Sequence, residues 1–329
     1  MLFNFSLIMG TMLAISADSW LITWTGMEVN LLALMPLMSF ENNKLSSEAT
    51  IKYFLIQAMA SSIFLFGAIF YSMSSASIFI NSMGTTIITL ALLLKMGIAP
   101  LHFWLPEVIS GSNWKIIFIV LTLQKIAPMM ILFYTTMEPL MLSIFIMMSS
   151  IISGIQGLNQ TCLKKIMAYS SINHSSWMVA AMMNSISLWF CYFSVYLLIS
   201  LNIITILSKF NVKSIIHLNY LFSSNKMIKF MFLLNFLNLG GLPPFLGFLP
   251  KWLVVMKLIE NNYYMLATIL IIFTLITLYF YIRIALLSFS INMTETLIIF
   301  FNKMNYLFIM INIMSLISLI SCSLLINYI

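Results

Sequence analysis

The chain has 329 residues, 62% hydrophobic and only 7% charged, with a mean hydropathy of +1.07. A water-soluble chain carries about 25% charged residues to cover its surface, so this composition excludes a soluble protein and sets most of the surface against lipid. The net charge of +7 comes from 15 Lys and Arg against 8 Asp and Glu, dispersed along the whole length, which excludes the clustered basic patch of a nucleic-acid binder.

At roughly 20 apolar residues per span, a chain of this size holds about ten to twelve spans and leaves no room for a soluble domain. The reading is therefore a single membrane domain over residues 1–329. Apolar runs of spanning length fall at 2–17, 21–40, 51–72, 83–109, 115–136, 139–157, 166–184, 187–208, 228–259, 262–287 and 304–327. A membrane barrel would show segments of about ten alternating residues, and no such alternation runs through this chain. The spans are thus predicted to be helices, and the fold all-α: a polytopic transmembrane bundle of about 11 helices. The first run resembles a signal peptide, with Ala14 to Ala17 as a cleavage-like site, but no positive charge precedes it, so the run is expected to be kept.

Eleven spans put alternate connections on opposite sides, and the charges sort with them. Lys44, Lys52, Lys115, Lys164, Lys165, Lys209, Lys213, Lys226, Lys229, Arg283 and Lys303 fall on one side. Asp18, Glu138 and Glu260 fall on the other, with Lys257 the nearby cation. The positive-inside rule then places the N-terminus inside and the C-terminus outside.

The fourth and ninth runs are unsuited to continuous helices. The fourth contains Gly97, Pro100 and Pro106 in KMGIAPLHFWLPE; the ninth contains Gly240, Gly241, Pro243, Pro244, Gly247 and Pro250 in GGLPPFLGFLPKW. Proline removes a backbone donor and clashes with the preceding turn, so both helices are expected to break there. Freed backbone groups at membrane depth persist only against protein or a wet cavity. Pro100 and Pro106 are spaced like Pro244 and Pro250, and each second proline is preceded by an aromatic and Leu and followed by a charged residue. Five spans from one break to the next start the two copies on opposite sides, as in the inverted repeats of transporters.

Five ionisable residues lie well inside spans: Glu28, Lys95, Lys125, His174 and Lys251. A charge at mid-bilayer costs about 2.5 to 3.5 kcal/mol on insertion scales, so each is a functional candidate. All five can gain or lose a proton. Each also has a structural alternative: a static ion pair for Glu28, capping of freed carbonyls for Lys95 and Lys125, snorkelling to the surface for Lys251, and hydrogen-bonded packing among serines for His174. Cys162, Cys191 and Cys322 are far apart and in apolar runs, and neither His102 nor His217 has a partner at metal spacing, so no metal site is expected. No nucleotide-binding glycine motif follows a strand, and no Ser, His and acid set makes a hydrolase case. The energy for moving ions must come from a gradient or a partner protein.

Six segments in order carry a family resemblance: WTGMEVNLLALMPL, EATIKYFLIQAMAS, LLLKMGIAPLHFWLPEV, LQKIAPM, LKKIMAYSSINHSSWM and GGLPPFLGFLPKW. Over nearly its full length the chain resembles the subunit 2 family of mitochondrial NADH dehydrogenase, antiporter-like membrane subunits of respiratory complex I (NADH:ubiquinone oxidoreductase). That resemblance implies two inverted five-helix repeats, each a half-channel with a broken helix, joined by a central file of Glu and Lys residues that carries protons. By motif, Glu28 matches the glutamate of the first half, Lys95 the lysine beside its broken helix, Lys125 the central lysine and Lys251 the exit residue of the second half. His174 stands as a link between the halves. Metazoan members lack three N-terminal helices of bacterial relatives, leaving eleven.

The resemblance further implies no cofactor in this chain, with FMN, iron-sulfur clusters and ubiquinone in partner subunits. It implies NADH dehydrogenase subunits 4 and 4L as neighbours, together with supernumerary subunits and lipids such as cardiolipin, and no nucleic acid. The location would be the mitochondrial inner membrane, with the N-terminus in the matrix and the C-terminus in the intermembrane space. One arginine against 14 lysines fits an AT-rich organellar genome. In the mechanism expected here, Glu28 and Lys95 form a charge pair, and loosening it sends the Lys95 proton toward Lys125 and Lys251. Two rivals stay open on the residues alone: a cation/proton antiporter without redox partners, and a structural subunit whose charges only lock helices together.

Overall fold

The computed structural model describes residues 2–40, 43–73, 78–135, 139–215, 217–218, 226–243 and 245–290. Among them no strand forms, and a single antiparallel bridge joins Cys162 to Ser214. The eleventh run at 304–327, Glu138, Pro244, Lys303 and Cys322 lie outside the described residues. Contacts divide the chain into two compact units, Met1–Ser149 and Ser150–Ile329.

In the first unit, α1 (Leu2–Ile15), α2 (Trp20–Ser39), α3 (Lys44–Met73) and α4 (Ile78–Met96) pack each against the next. Ser19 caps α2, its side-chain oxygen accepting from the Ile22 N–H. The fourth apolar run is broken as expected: α4 stops at Met96 and α5 (Trp104–Gly111) resumes it. The fifth run is interrupted as well, which the sequence reading does not anticipate. It forms α6 (Trp114–Leu121) and α7 (Leu123–Tyr134), separated at Thr122. Two causes converge there. Pro128 lacks an N–H and its ring crowds the carbonyl of Gln124, four residues back. The Thr122 hydroxyl also donates to the Phe118 carbonyl at 2.6 Å, a back-bond of the kind that bends helices. Helix α3 begins seven residues before the apolar run, because Lys44, Glu48 and Lys52 continue the helix beyond its apolar part.

The division between units falls within α8 (Pro139–Leu158). The second unit contains α9 (Leu163–Asn184), α10 (Ile186–Lys209), α11 (Lys226–Gly240), α12 (Phe248–Glu260) and α13 (Tyr264–Ser290). Helix α9 packs against α10, α12 and α13 and is buried along nearly all its length. It is also the least apolar helix, which burial permits because its serines bond back to their own helix. Ser170, Ser171, Ser175 and Ser176 donate to the carbonyls three residues earlier. Asn173 donates across to Thr277 of α13 at 3.1 Å. The only arginine of the sequence is a structural cap: Arg283 donates to the carbonyls of Leu158 and Gln160, both at 2.8 Å, at the end of α8. Among the described residues, six helical stretches, including Trp114–Tyr134 taken as one, are long and apolar enough to cross a membrane.

Candidate functional site

The two broken helices share one local design. Helix α4 ends at Met96 and α11 at Gly240, and the chain resumes as helix at Trp104 and Phe248, so every boundary has a counterpart 144 residues later. The residue after each first half is a glycine in the left-handed region, Gly97 at φ 71° and Gly241 at φ 76°. In both cases it closes the helix with the same pair of bonds. Gly97 N–H donates to the Leu94 carbonyl and Ile98 N–H to that of Leu93; Gly241 N–H donates to Asn238 and Leu242 N–H to Leu237. Pro100 and Pro243 sit in the intervening turns. Pro106 and Pro250 do not interrupt helices but occupy the third positions of α5 and α12, where an N–H has no intrahelical partner to lose.

The lysines beside these breaks are held differently. At the first break, the Trp104 indole N–H donates to the Leu94 carbonyl at 3.1 Å, and the Gln57 amide to that of Lys95 at 3.3 Å. Freed carbonyls are therefore capped by other side chains. The Lys95 amine, 7% exposed, donates to the Met27 thioether at 3.5 Å. Glu28, half-buried on α2, acts on Lys95 and on the Tyr53 phenol through space, and among the described residues no ion pair within 4 Å includes it. The expected Glu28–Lys95 pair is thus a coupling at a distance rather than a contact. At the second break the lysine itself is the cap: Lys251 Nζ donates to the Gly240 carbonyl at 2.8 Å. It is 8% exposed, so it packs inward rather than snorkelling. The Asn238 side chain closes the other end of the turn by accepting from the Gly247 N–H at 2.7 Å.

Lys125 is fully buried on α7, three residues past the interruption, and its N–H donates to the Thr122 carbonyl at 3.1 Å. A small, mostly polar cavity joins this region to Lys95. Its lining includes Asn30, Tyr53, Gln57, Lys95 and Gln124, and it offers about 10 Å³, room for roughly one water. In the second unit the His174 imidazole bonds through Nδ1 to the Tyr192 hydroxyl at 2.9 Å and lies 5.0 Å from the Tyr196 ring. A second, more apolar cavity is lined by His174, Tyr192, Tyr196 and, from the second break, Asn238, Gly247 and Pro250. The structure thus brings Glu28, Lys95 and Lys125 into one unit and His174 and Lys251 into the other. Sequence reasoning missed Asn30, Gln57, Gln124, Tyr192, Tyr196 and Asn238. Their one signal was an uncharged polar group within an apolar run.

Away from the cavities, Lys52 of α3 bridges Glu48 at 2.7 Å and Glu107 of α5 at 2.8 Å. All three are well exposed, so the network tethers the second half of the broken helix only weakly. Among the described residues no three His, Cys, Asp or Glu side chains gather to hold a metal.

Buried amines beside polar space, in an apolar helical bundle with two broken helices, are the build of a membrane protein that passes charge through its interior. The chain belongs to the family of NADH:quinone oxidoreductase and Mrp antiporter transmembrane proteins, whose profile matches residues 17–277. That stretch contains both breaks and all five intramembrane ionisable residues. The chain is 43% identical to NADH-ubiquinone oxidoreductase chain 2 of Anopheles gambiae, over 98% of this chain and 96% of that one. It is 42% identical to the same-named protein of Locusta migratoria, over 97% and 93%. Its fold matches a chain of the respiratory complex I structure from Thermus thermophilus with bound aureothin. The TM-score is 0.88 over 99% of this chain and 78% of that one, at 23% identity.

Proposed function

We propose that this chain is a core membrane-arm subunit of an NADH:ubiquinone oxidoreductase and that it translocates protons across the mitochondrial inner membrane. NADH oxidation and ubiquinone reduction take place in partner subunits, which hold the FMN and iron-sulfur clusters. The observation that carries this reading is the burial of Lys95, Lys125 and Lys251 inside an apolar bundle. Three amines withdrawn from water in one chain are costly unless their protons move or meet water. Glu28 and Lys95 load the first half, Lys125 is the central carrier, and Lys251 is the exit residue of the second. His174, held by Tyr192, stands as the link between them.

Energetically, pushing one charge against 100 mV requires about 2.3 kcal/mol. A change of roughly two units in a lysine's proton affinity supplies that. On this reading Glu28 makes such a change at Lys95 when a neighbouring subunit moves it. The chain works as one membrane domain, with its N-terminus in the matrix and its C-terminus in the intermembrane space. Its neighbours are NADH dehydrogenase subunits 4 and 4L, supernumerary subunits and lipids such as cardiolipin. The test is NADH-driven proton uptake by sealed vesicles bearing assembled complex with Lys125→Met, measured beside electron transfer. Loss of both in assembled complex supports the reading. Unchanged uptake at an unchanged rate leaves the chain a structural subunit.

A further inference from the structure

Apart from Lys95 itself, the cavity beside Lys95 is built from residues that the proton file of Glu28, Lys95, Lys125 and Lys251 does not use. It lies among α2, α3, α4 and α7, and its lining is mostly polar although the four helices are apolar. Three carboxamides line it from different helices, Asn30 of α2, Gln57 of α3 and Gln124 of α7, and Gln57 already donates to the Lys95 carbonyl. Asn30 is 4% exposed, and its Oδ1 has no hydrogen-bond partner; the buried Nε2 of Gln124 has none either. A buried amide group without a partner costs about 1 to 3 kcal/mol, so two at one cavity point to a ligand that satisfies them. With room for roughly one water and several polar groups around it, the cavity suits a water molecule. The Lys95 amine is on the same lining and otherwise donates to a thioether, a weak acceptor.

Gln124 also occupies a telling place on its helix. It is the second residue of α7, directly after the interruption at Thr122 and directly before Lys125. Consecutive residues of a helix project about 100° apart, so Gln124 faces the Lys95 cavity while Lys125 leaves the helix on an adjacent face. The cavity therefore lies between the lysine of the first break and the first turns of α7, whose Gln124, Ala127 and Pro128 line it.

We propose that Gln124, together with Asn30, is a positioning residue that holds a water molecule against the Lys95 amine, and that this water is the first acceptor of the proton Lys95 releases. The inference rests on the proton-translocating reading above. In the step, one Nζ–H bond of the ammonium breaks as an O–H bond to the water forms. The lysine becomes a neutral amine, and the water passes one of its own protons on toward Lys125, whose amine must then be neutral to take it up, and returns to neutrality. The Gln124 Nε2–H donates to the water oxygen and fixes its place; the carboxamides neither gain nor lose a proton.

Two measurements on the assembled complex test this. In a cryo-electron microscopy map fine enough to show ordered waters, density is expected within hydrogen-bond distance of both Gln124 Nε2 and Lys95 Nζ. A dry cavity overturns the proposal. Gln124→Met keeps the length of the side chain and removes its polar end. It is expected to slow coupled proton uptake about tenfold, the kinetic weight of one lost hydrogen bond, and to shift the pH profile of uptake. Uptake and pH profile unchanged in Gln124→Met overturn the proposal even where Lys125→Met abolishes uptake. If Lys125→Met leaves uptake unchanged, the proton-translocating reading itself fails. A Gln124→Met complex that does not assemble leaves the wild-type map to decide.

Discussion

The two broken helices have the same backbone and opposite uses of lysine. Each first half ends on a left-handed glycine with the same pair of closing bonds, and each second half begins 144 residues from its counterpart. Yet the position equivalent to Lys95 is Leu239, and the position equivalent to Lys251 is Glu107. At the first break, Trp104 and Gln57 take the freed carbonyls, and the Lys95 amine is left to a thioether beside a polar cavity. At the second, the Lys251 amine is itself the carbonyl's partner and the nearby cavity is more apolar. The repeat therefore preserves the interruption of the helix, not the charge. The two amines therefore differ in what holds them: a weakly accepting thioether beside water-sized space at the first break, and a backbone carbonyl at the second.

This contrast can be broken at graded points. The largest effect is expected at Gly247, where a Cβ would run into the Asn238 carbonyl and displace the side-chain bond that closes the second turn. Gly247→Ala should abolish accumulation of assembled complex, read on native gels; normal assembly would show that the turn has slack. Next is Lys251→Met, which leaves the buried Gly240 carbonyl without its donor. A loss of about 1 to 3 kcal/mol follows, seen as earlier thermal dissociation of the complex. Smallest is Lys95→Met, which removes a buried amine held by a thioether and should leave thermal dissociation nearly unchanged. Equal destabilisation by the two lysine substitutions would erase the distinction drawn between the breaks.

Much of this was legible in the sequence because membrane helices declare themselves by length and apolarity. Each of the ten runs up to residue 287 forms helix, interrupted within the fourth, fifth and ninth, and both breaks fall where proline and glycine gather in otherwise apolar segments. Gly97 and Gly241 share the spacing of the prolines, although proline chemistry alone draws attention to Pro106 and Pro250, which begin helices rather than break them. The interruption at Thr122 was hidden because one of its two causes, Pro128, lies six residues further on in a run that still reads as apolar, and the other is a hydroxyl back-bond that only the folded helix shows. Charged residues inside spans stood out at once. Asn30, Gln124, Tyr192 and Tyr196 did not, since uncharged polar groups recur throughout the chain and only tertiary packing shows which ones face a cavity. The capping role of Lys251 was equally out of reach, because its partner is a backbone carbonyl 11 residues earlier.

The claim at the centre of this account is that the Lys95 proton leaves. Arginine at that position keeps the positive charge and most of the length but does not release its proton at any physiological pH. The direct measurement is NADH-driven proton uptake by sealed vesicles bearing assembled complex with Lys95→Arg, alongside wild type. Uptake is expected to be lost and electron transfer to slow while assembly is retained. Uptake at the wild-type rate would contradict it, by showing that a fixed charge at residue 95 is enough.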